Sequence, residues 1–171
     1  FVSDEDTLTG DGRWAARLRL DHPLLVAQCL RENVFPEDNE KLLAAAMAVF
    51  AYDREDELRV AAKDLPQKLN RLLGRLLVAV RPLQRRLEKA GFPYVRLYTA
   101  AGAAVYHWAN GRDWELVIRT TGIAEGDMAT LVLRTADNLR QLASLKDTHP
   151  RVAGCALRAA EAILREPVLF L

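Results

Sequence analysis

Glycine and proline are scarce in this chain, 9 and 7 of 171 residues, and that scarcity excludes collagen-like and low-complexity architectures. Cysteine is scarcer still. Cys29 and Cys155 stand 126 positions apart, which excludes a disulfide framework and a cysteine-based metal site and points to a reducing cytoplasm. Long apolar runs are missing too. The stretch from Leu42 to Ala51 is far short of the roughly 18–20 residues a membrane span needs. The opening Phe1-Val2-Ser3-Asp4-Glu5-Asp6 is acidic where a secretory leader is basic, and a first residue other than Met suggests a piece of something longer.

Catalytic signatures are equally absent. No glycine precedes the Lys-Ser or Lys-Thr of a phosphate loop, and there is no G-x-S-x-G, H-E-x-x-H or C-x-x-C. The segment alone is therefore expected neither to bind nor to hydrolyse ATP, and no metal or catalytic residue is assigned. His22, His107 and His149 are widely separated and read as packing or surface residues. The carboxylates at Asp4, Glu5 and Asp6 read as a solvated turn. Those at Glu37, Asp38 and Glu40 read as a helix N-terminus, where the helix dipole favours negative charge.

What the chain has is leucine and alanine, 28 and 26 residues, with few β-branched runs. The expected fold is an all-α bundle of about seven helices with a short N-terminal β-hairpin remnant over Phe1–Thr9. Residues 1–20 read as the end of a preceding module and residues 21–171 as one helical domain. Asp21 is placed to cap a helix with Pro23 in its first turn, ended by Asn33. A second helix is expected from about Pro36 to Tyr52. A third runs from Asp64 to Ala90 with a stripe from Leu65 to Leu87, kinked or divided by Pro82 and stopped by Gly91. Further helices are expected over about 94–109, 114–119, 124–146 and from the Pro150–Gly154 transition to Leu164. The tail Val168–Leu171 should tuck onto the core. No internal repeat of fixed period argues for a solenoid.

Charge is uneven: net −5 over residues 1–53, +6 over 54–98 and 0 over 99–171. A basic middle segment suits nucleic-acid contact and suits a solvated helix face equally. Trp108 and Trp114, which bracket a helix end, could stack on bases but read better as core pieces. The helix over 124–146 sets Met128, Leu131, Val132, Leu139, Leu142 and Leu145 on one side. Asp127, Thr130, Arg134, Asp137, Gln141 and Ser144 form a polar stripe on the other, with the guanidinium of Arg134 projecting away from the core. That stripe becomes functional if it lines a channel.

Several runs together resemble a known family. They are Val105-Tyr106-His107-Trp108-Ala109-Asn110-Gly111, then Trp114, Ile118 and Thr121, then Ala124-Glu125-Gly126-Asp127-Met128, then Arg134 and Asp137 to Leu142. They look like the C-terminal helical domain, called DSHCT, of superkiller-type DExH-box RNA helicases. Leu8-Thr9-x-x-Gly12-Arg13-x-Ala15 is similar to the end of the winged-helix module preceding that domain, and Arg165-Glu166-Pro167-Val168 resembles its closing segment.

The resemblance implies an accessory domain packed over two RecA-like motor domains and a winged helix of the same chain. It would complete a channel for single-stranded RNA, or DNA, and would couple the motor domains to strand translocation and unwinding. ATP and Mg would belong to the parent helicase, with no cofactor in this fragment, which is expected to be monomeric and away from membranes. The helix after the E-G-D element would be the ratchet helix, with Arg134 and Asp137 facing RNA. Thr130 stands where relatives often have Arg, and with Gln141 it completes the candidate nucleic-acid-binding set. A different reading of the same chain is a free-standing helical interaction or regulatory module with no motor.

Overall fold

Local capping chemistry sets most of the helix boundaries. The computed structural model describes residues 1–53 and 65–170. Among them lie eight α-helices and a closing 3-10 turn: α1 (Gly10–Ala15), α2 (Pro23–Arg31), α3 (Glu40–Ala51), α4 (Gln67–Lys89), α5 (Thr99–Ala109), α6 (Trp114–Thr121), α7 (Glu125–Ala143), α8 (Pro150–Ile163) and the turn Val168–Phe170. Thr9, Asn39 and Asp113 each accept a hydrogen bond from the backbone N–H three residues on, at 3.0, 3.0 and 3.1 Å, and so start α1, α3 and α6. Asn33, Gly91 and Gly111 take positive φ of 50°, 87° and 81° just past α2, α4 and α5. At each of these three ends, the next residue's N–H turns back to a carbonyl five positions earlier: Val34 to Cys29, Phe92 to Leu87 and Arg112 to His107.

The all-α expectation holds, with eight helices among the described residues, the short α1 included. The N-terminal hairpin does not form. Val2 and Leu8 make a single isolated bridge, because the segment is too short to present a sheet with a hydrophobic face. Asp21 does not cap α2. The cap position is His22, in left-handed geometry with no side-chain cap, and the Asp21 carboxylate is engaged elsewhere. The second helix starts at Glu40, where Asn39 offers the cap. The fourth, α5, starts at Thr99, since residues 93–98 run as irregular chain tethered by Gln84 Nε2 to the Val95 carbonyl at 2.7 Å. Pro82 does not divide α4, which continues to Lys89. Gly154 lies inside α8, and the expected start of the third helix at Asp64 lies outside the described residues. In the tail, Val168 is buried whereas Leu169 is exposed.

The centre of the bundle is α3. Every residue from Leu43 to Ala51 is buried, so its sequence carries no amphipathic period, as befits a helix apolar all round. Around it pack α4, α5, α7 and α8. Contact with α5 is close because Gly102 faces it: a Cβ there would lie 2.7 Å from the Ala45 carbonyl oxygen. Trp14 of α1 is also core, edge-on to His149 with ring centroids 4.7 Å apart.

Candidate nucleic-acid interface

The candidate interface is the edge of α7, and its position follows from how α7 is fastened. Met128, Leu131, Val132, Leu139 and Leu142 are buried against the bundle, while Thr130, Asp137 and Ser144 are exposed and Gln141 is half-buried. The polar stripe expected from spacing is therefore one continuous edge of α7. The Thr130 hydroxyl donates to the Gly126 carbonyl at 2.8 Å, and Asp137 pairs with Arg140 at 3.0 Å.

Arg134 is held within the domain. Its Nη2 lies 2.8 Å from Asp21 and its Nη1 2.7 Å from Asp53, and these bonds push the guanidinium pKa up, with the Asp21 bond contributing most. Asn138, one turn further along, completes the clasp. Its Nδ2 donates to the other oxygen of Asp21 at 3.0 Å, and its Oδ1 accepts from the Asp21 backbone N–H at 3.2 Å. The guanidinium thus lies along the bundle between two carboxylates instead of standing free. Asp21 is 113 positions from Arg134, and no local signal pairs them.

The electrostatics of this edge are mixed. Among the described residues, Asp21 and Asp53 hold Arg134, Asp127 lies beside it and Asp137 pairs with Arg140, so carboxylates outnumber guanidiniums four to two. A phosphate approaching here meets more repulsion than attraction. The arrangement is suited to hydrogen-bonding contacts with base edges or hydroxyls.

Both tryptophans are core, exposed by 1% and 7%. Trp108 Nε1 donates to the Ile163 carbonyl at 2.8 Å, and its ring meets that of Trp114 edge-on with centroids 5.0 Å apart. Trp114 Nε1 in turn donates to Glu125 at 3.0 Å. Arg165 lies over Trp108, its Cζ 3.2 Å from the ring centroid, and donates to the carbonyls of Trp108 and Arg112 at 2.9 Å each. The W, E-G-D and R-E-P elements of the sequence therefore converge on one corner, where α5, α6, the start of α7 and the end of α8 are tied together. The spacing of the two tryptophans suggested core. The roles of Glu125 and Arg165 had no such signal, because each acts across at least 11 residues.

The profile of the DSHCT (NUC185) domain family matches residues 5–171. The chain belongs to the DSHCT family. A curated relative, the chloroplastic DExH-box ATP-dependent RNA helicase DExH15 of Arabidopsis thaliana, is 36% identical over 61 residues, which make up 36% of this chain and 5% of the relative. The DSHCT chain thus spans a small part of that protein's length. Among the described residues no helix is long and apolar enough to cross a membrane, and no group of three His, Cys, Asp or Glu side chains could hold a metal ion.

The DSHCT chain also has an open groove of about 650 Å3 between the α2–α3 and α7–α8 connections. The Glu37–Arg151 ion pair, at 3.0 Å, involves two of its lining residues, and His149 lines it with an imidazole whose pKa burial lowers.

Proposed function

We propose that this chain is the accessory helical domain of an ATP-dependent RNA helicase, and that the edge of α7 bearing Thr130, Arg134, Asp137 and Gln141 lines the single-strand path. The observation that carries the reading is the DSHCT match across residues 5–171, supported by a relative named as an RNA helicase. The character of the edge is in keeping with it. A helix buried on one side and polar on the other offers hydroxyl, amide and carboxylate groups to unpaired bases and 2′-hydroxyls. Because it holds phosphates poorly, a strand can slide along it. Arg134 is then a positioning residue that fixes α7 against Asp21 and Asp53, with its outer edge turned to the strand.

In this reading the partners are the RecA-like motor domains and the winged helix of the same polypeptide. ATP and Mg2+ belong, in this reading, to the motor domains, since the sequence of this chain carries no phosphate loop. Its contribution is to guide the strand while the motor domains move. Two buried free thiols suit a reducing, cytoplasmic compartment.

Photo-cross-linking tests the reading. With a photoreactive residue at 130 or 137 of the complete helicase, single-stranded RNA becomes cross-linked, while the same residue at exposed Leu157 of α8 gives none. Absence of cross-links from both α7 positions overturns the channel role.

A further inference from the structure

Among the described residues the strongest concentration of one charge is on α4, and the α7 edge does not use it. Between Gln67 and Lys89 the only acidic residue is Glu88. Arg81, Arg85, Arg86 and Lys89 are all exposed, and none of them pairs with a carboxylate among the described residues. Positions 71, 75, 78, 82, 85 and 89 recur at helical spacing, so Arg71 and Arg75 extend the same outer face over about 27 Å at ~1.5 Å per residue. In its middle, Val78 and Pro82 floor a shallow depression of about 320 Å3 walled by Arg81, Arg85, Arg86 and Lys89. Pro82 has no N–H to give the Val78 carbonyl, which leaves a backbone acceptor on this face.

Immediately past α4, Phe92 and Tyr94 are 60% and 58% exposed, with exposed Arg96 beside them. Basic side chains alternating with open aromatic rings match an unpaired strand, whose phosphates need cations and whose bases offer faces for stacking. A membrane fits less well. The leucines of α4, from Leu69 to Leu76, are already buried in the bundle, and Val78 and Pro82 alone are too small an apolar face to insert.

We infer that the outer face of α4, with Phe92 and Tyr94, is a second nucleic-acid surface that binds the phosphate backbone of a single strand. It belongs to a different neighbourhood from the α7 edge: α4 packs on α2, α3 and α5, whereas α7 packs on α3, α8 and the closing turn. The inference does not rest on the channel reading. It assigns the two surfaces different tasks, with α4 holding phosphates and α7 touching bases.

Fluorescence anisotropy with the 171-residue chain and labelled 20-mers of uridylate and thymidylate tests it, from about 50 to 200 mM salt. Reversing Arg81, Arg85, Arg86 and Lys89 to Glu weakens binding at least about tenfold and lowers the magnitude of the log–log salt slope by about 3, from roughly 0.7 per phosphate contact. Phe92→Ala with Tyr94→Ala weakens binding about tenfold at unchanged slope. Thr130→Ala with Gln141→Ala leaves the slope unchanged whether or not α7 lines a channel, which separates the two claims. If the fourfold variant melts early, Arg85→Gln with Lys89→Gln takes its place and lowers the slope by about 1.4. Unchanged affinity and slope in a folded α4 variant overturns the inference. So does tighter binding to duplex, to phosphatidylserine vesicles or to polyglutamate than to the single strands.

Discussion

Arg165 lies face-on over Trp108, 3.2 Å from the ring centroid, while donating to the carbonyl of that same residue at 2.9 Å. One side chain thus covers an indole and adds a second donor to a carbonyl that already accepts from the Gly111 N–H at 2.9 Å. Arg165→Ala should cost about 2–3 kcal/mol, read as a lowered midpoint in chemical unfolding. Lysine lacks the planar fork, so Arg165→Lys should recover less than half of that loss. Full recovery by lysine would mean that charge alone is what matters here.

Removing Arg134 should destabilise the domain. Its bonds to Asp21 and Asp53 are partly solvated, with a third of the Arg134 side chain exposed, so the expected loss for Arg134→Ala is about 1–2 kcal/mol. Asp21→Asn should cost a similar amount, and the double variant less than the sum, because both act through one contact. Strict additivity in thermal melts would show that the pair is not coupled.

Gly102→Ala tests the close approach of α5 to α3. The added methyl would meet the Ala45 carbonyl oxygen at 2.7 Å and Val49 Cγ2 at 3.0 Å, and a backbone atom cannot step aside as a side chain can. A loss of about 1–3 kcal/mol is expected, although alanine is the better helix former. A gain in melting temperature would contradict the packing described.

Pro82→Ala should act in the opposite sense. It restores a donor for the Val78 carbonyl at a solvent-facing site without crowding anything, and stability should rise by about 1–3 kcal/mol. Differential scanning calorimetry reads this directly, and an unchanged melting temperature would show that α4 already absorbs the proline at no cost.

Stability should be greatest between about pH 6.5 and 9. Burial lowers the pKa values of His22, His107 and His149 below the ordinary 6.5, so on acidification the unfolded chain takes up protons first and stability falls below that pH. Burial, helped by Glu32, pushes the Cys29 thiol up to about 12, above the 9.0 of a free thiol. Above pH 9 the unfolded chain releases that proton while the folded one keeps it, so stability falls again. Urea midpoints measured across this range should show both limbs, and Cys29→Ala should reduce the alkaline one, leaving the part due to Cys155, whose thiol burial also raises.

Whatever is decided within a turn or two of chain could be read from the sequence. Asn33, Gly91, Gly111 and Gly122 end their helices as their residue types require, and the leucine spacing of α4 and α7 identified the faces they bury. Where two local options competed, a distant residue decided. Asp21 is a good cap in isolation, yet the folded chain offers it Arg134 and Asn138, and a charge-assisted bond outweighs a cap. Pro93 and Tyr94 look like a helix start, but Gln84 holds the Val95 carbonyl and delays the helix to Thr99. The stripe on α7 was visible as a pattern, whereas its electrostatic character was not, because Asp21 and Asp53 come from elsewhere in the chain.

The burial of α3 on all sides has a consequence during synthesis. Two of the helices that cover it, α7 and α8, emerge from the ribosome only after about 75–110 further residues, which at ~5–20 residues per second is a wait on the order of 4–20 seconds. For that time a segment reading Leu42-Leu43-Ala44-Ala45-Ala46-Met47-Ala48-Val49-Phe50 has half its partners unmade. Of the described helices, this is the one a chaperone would have most reason to hold.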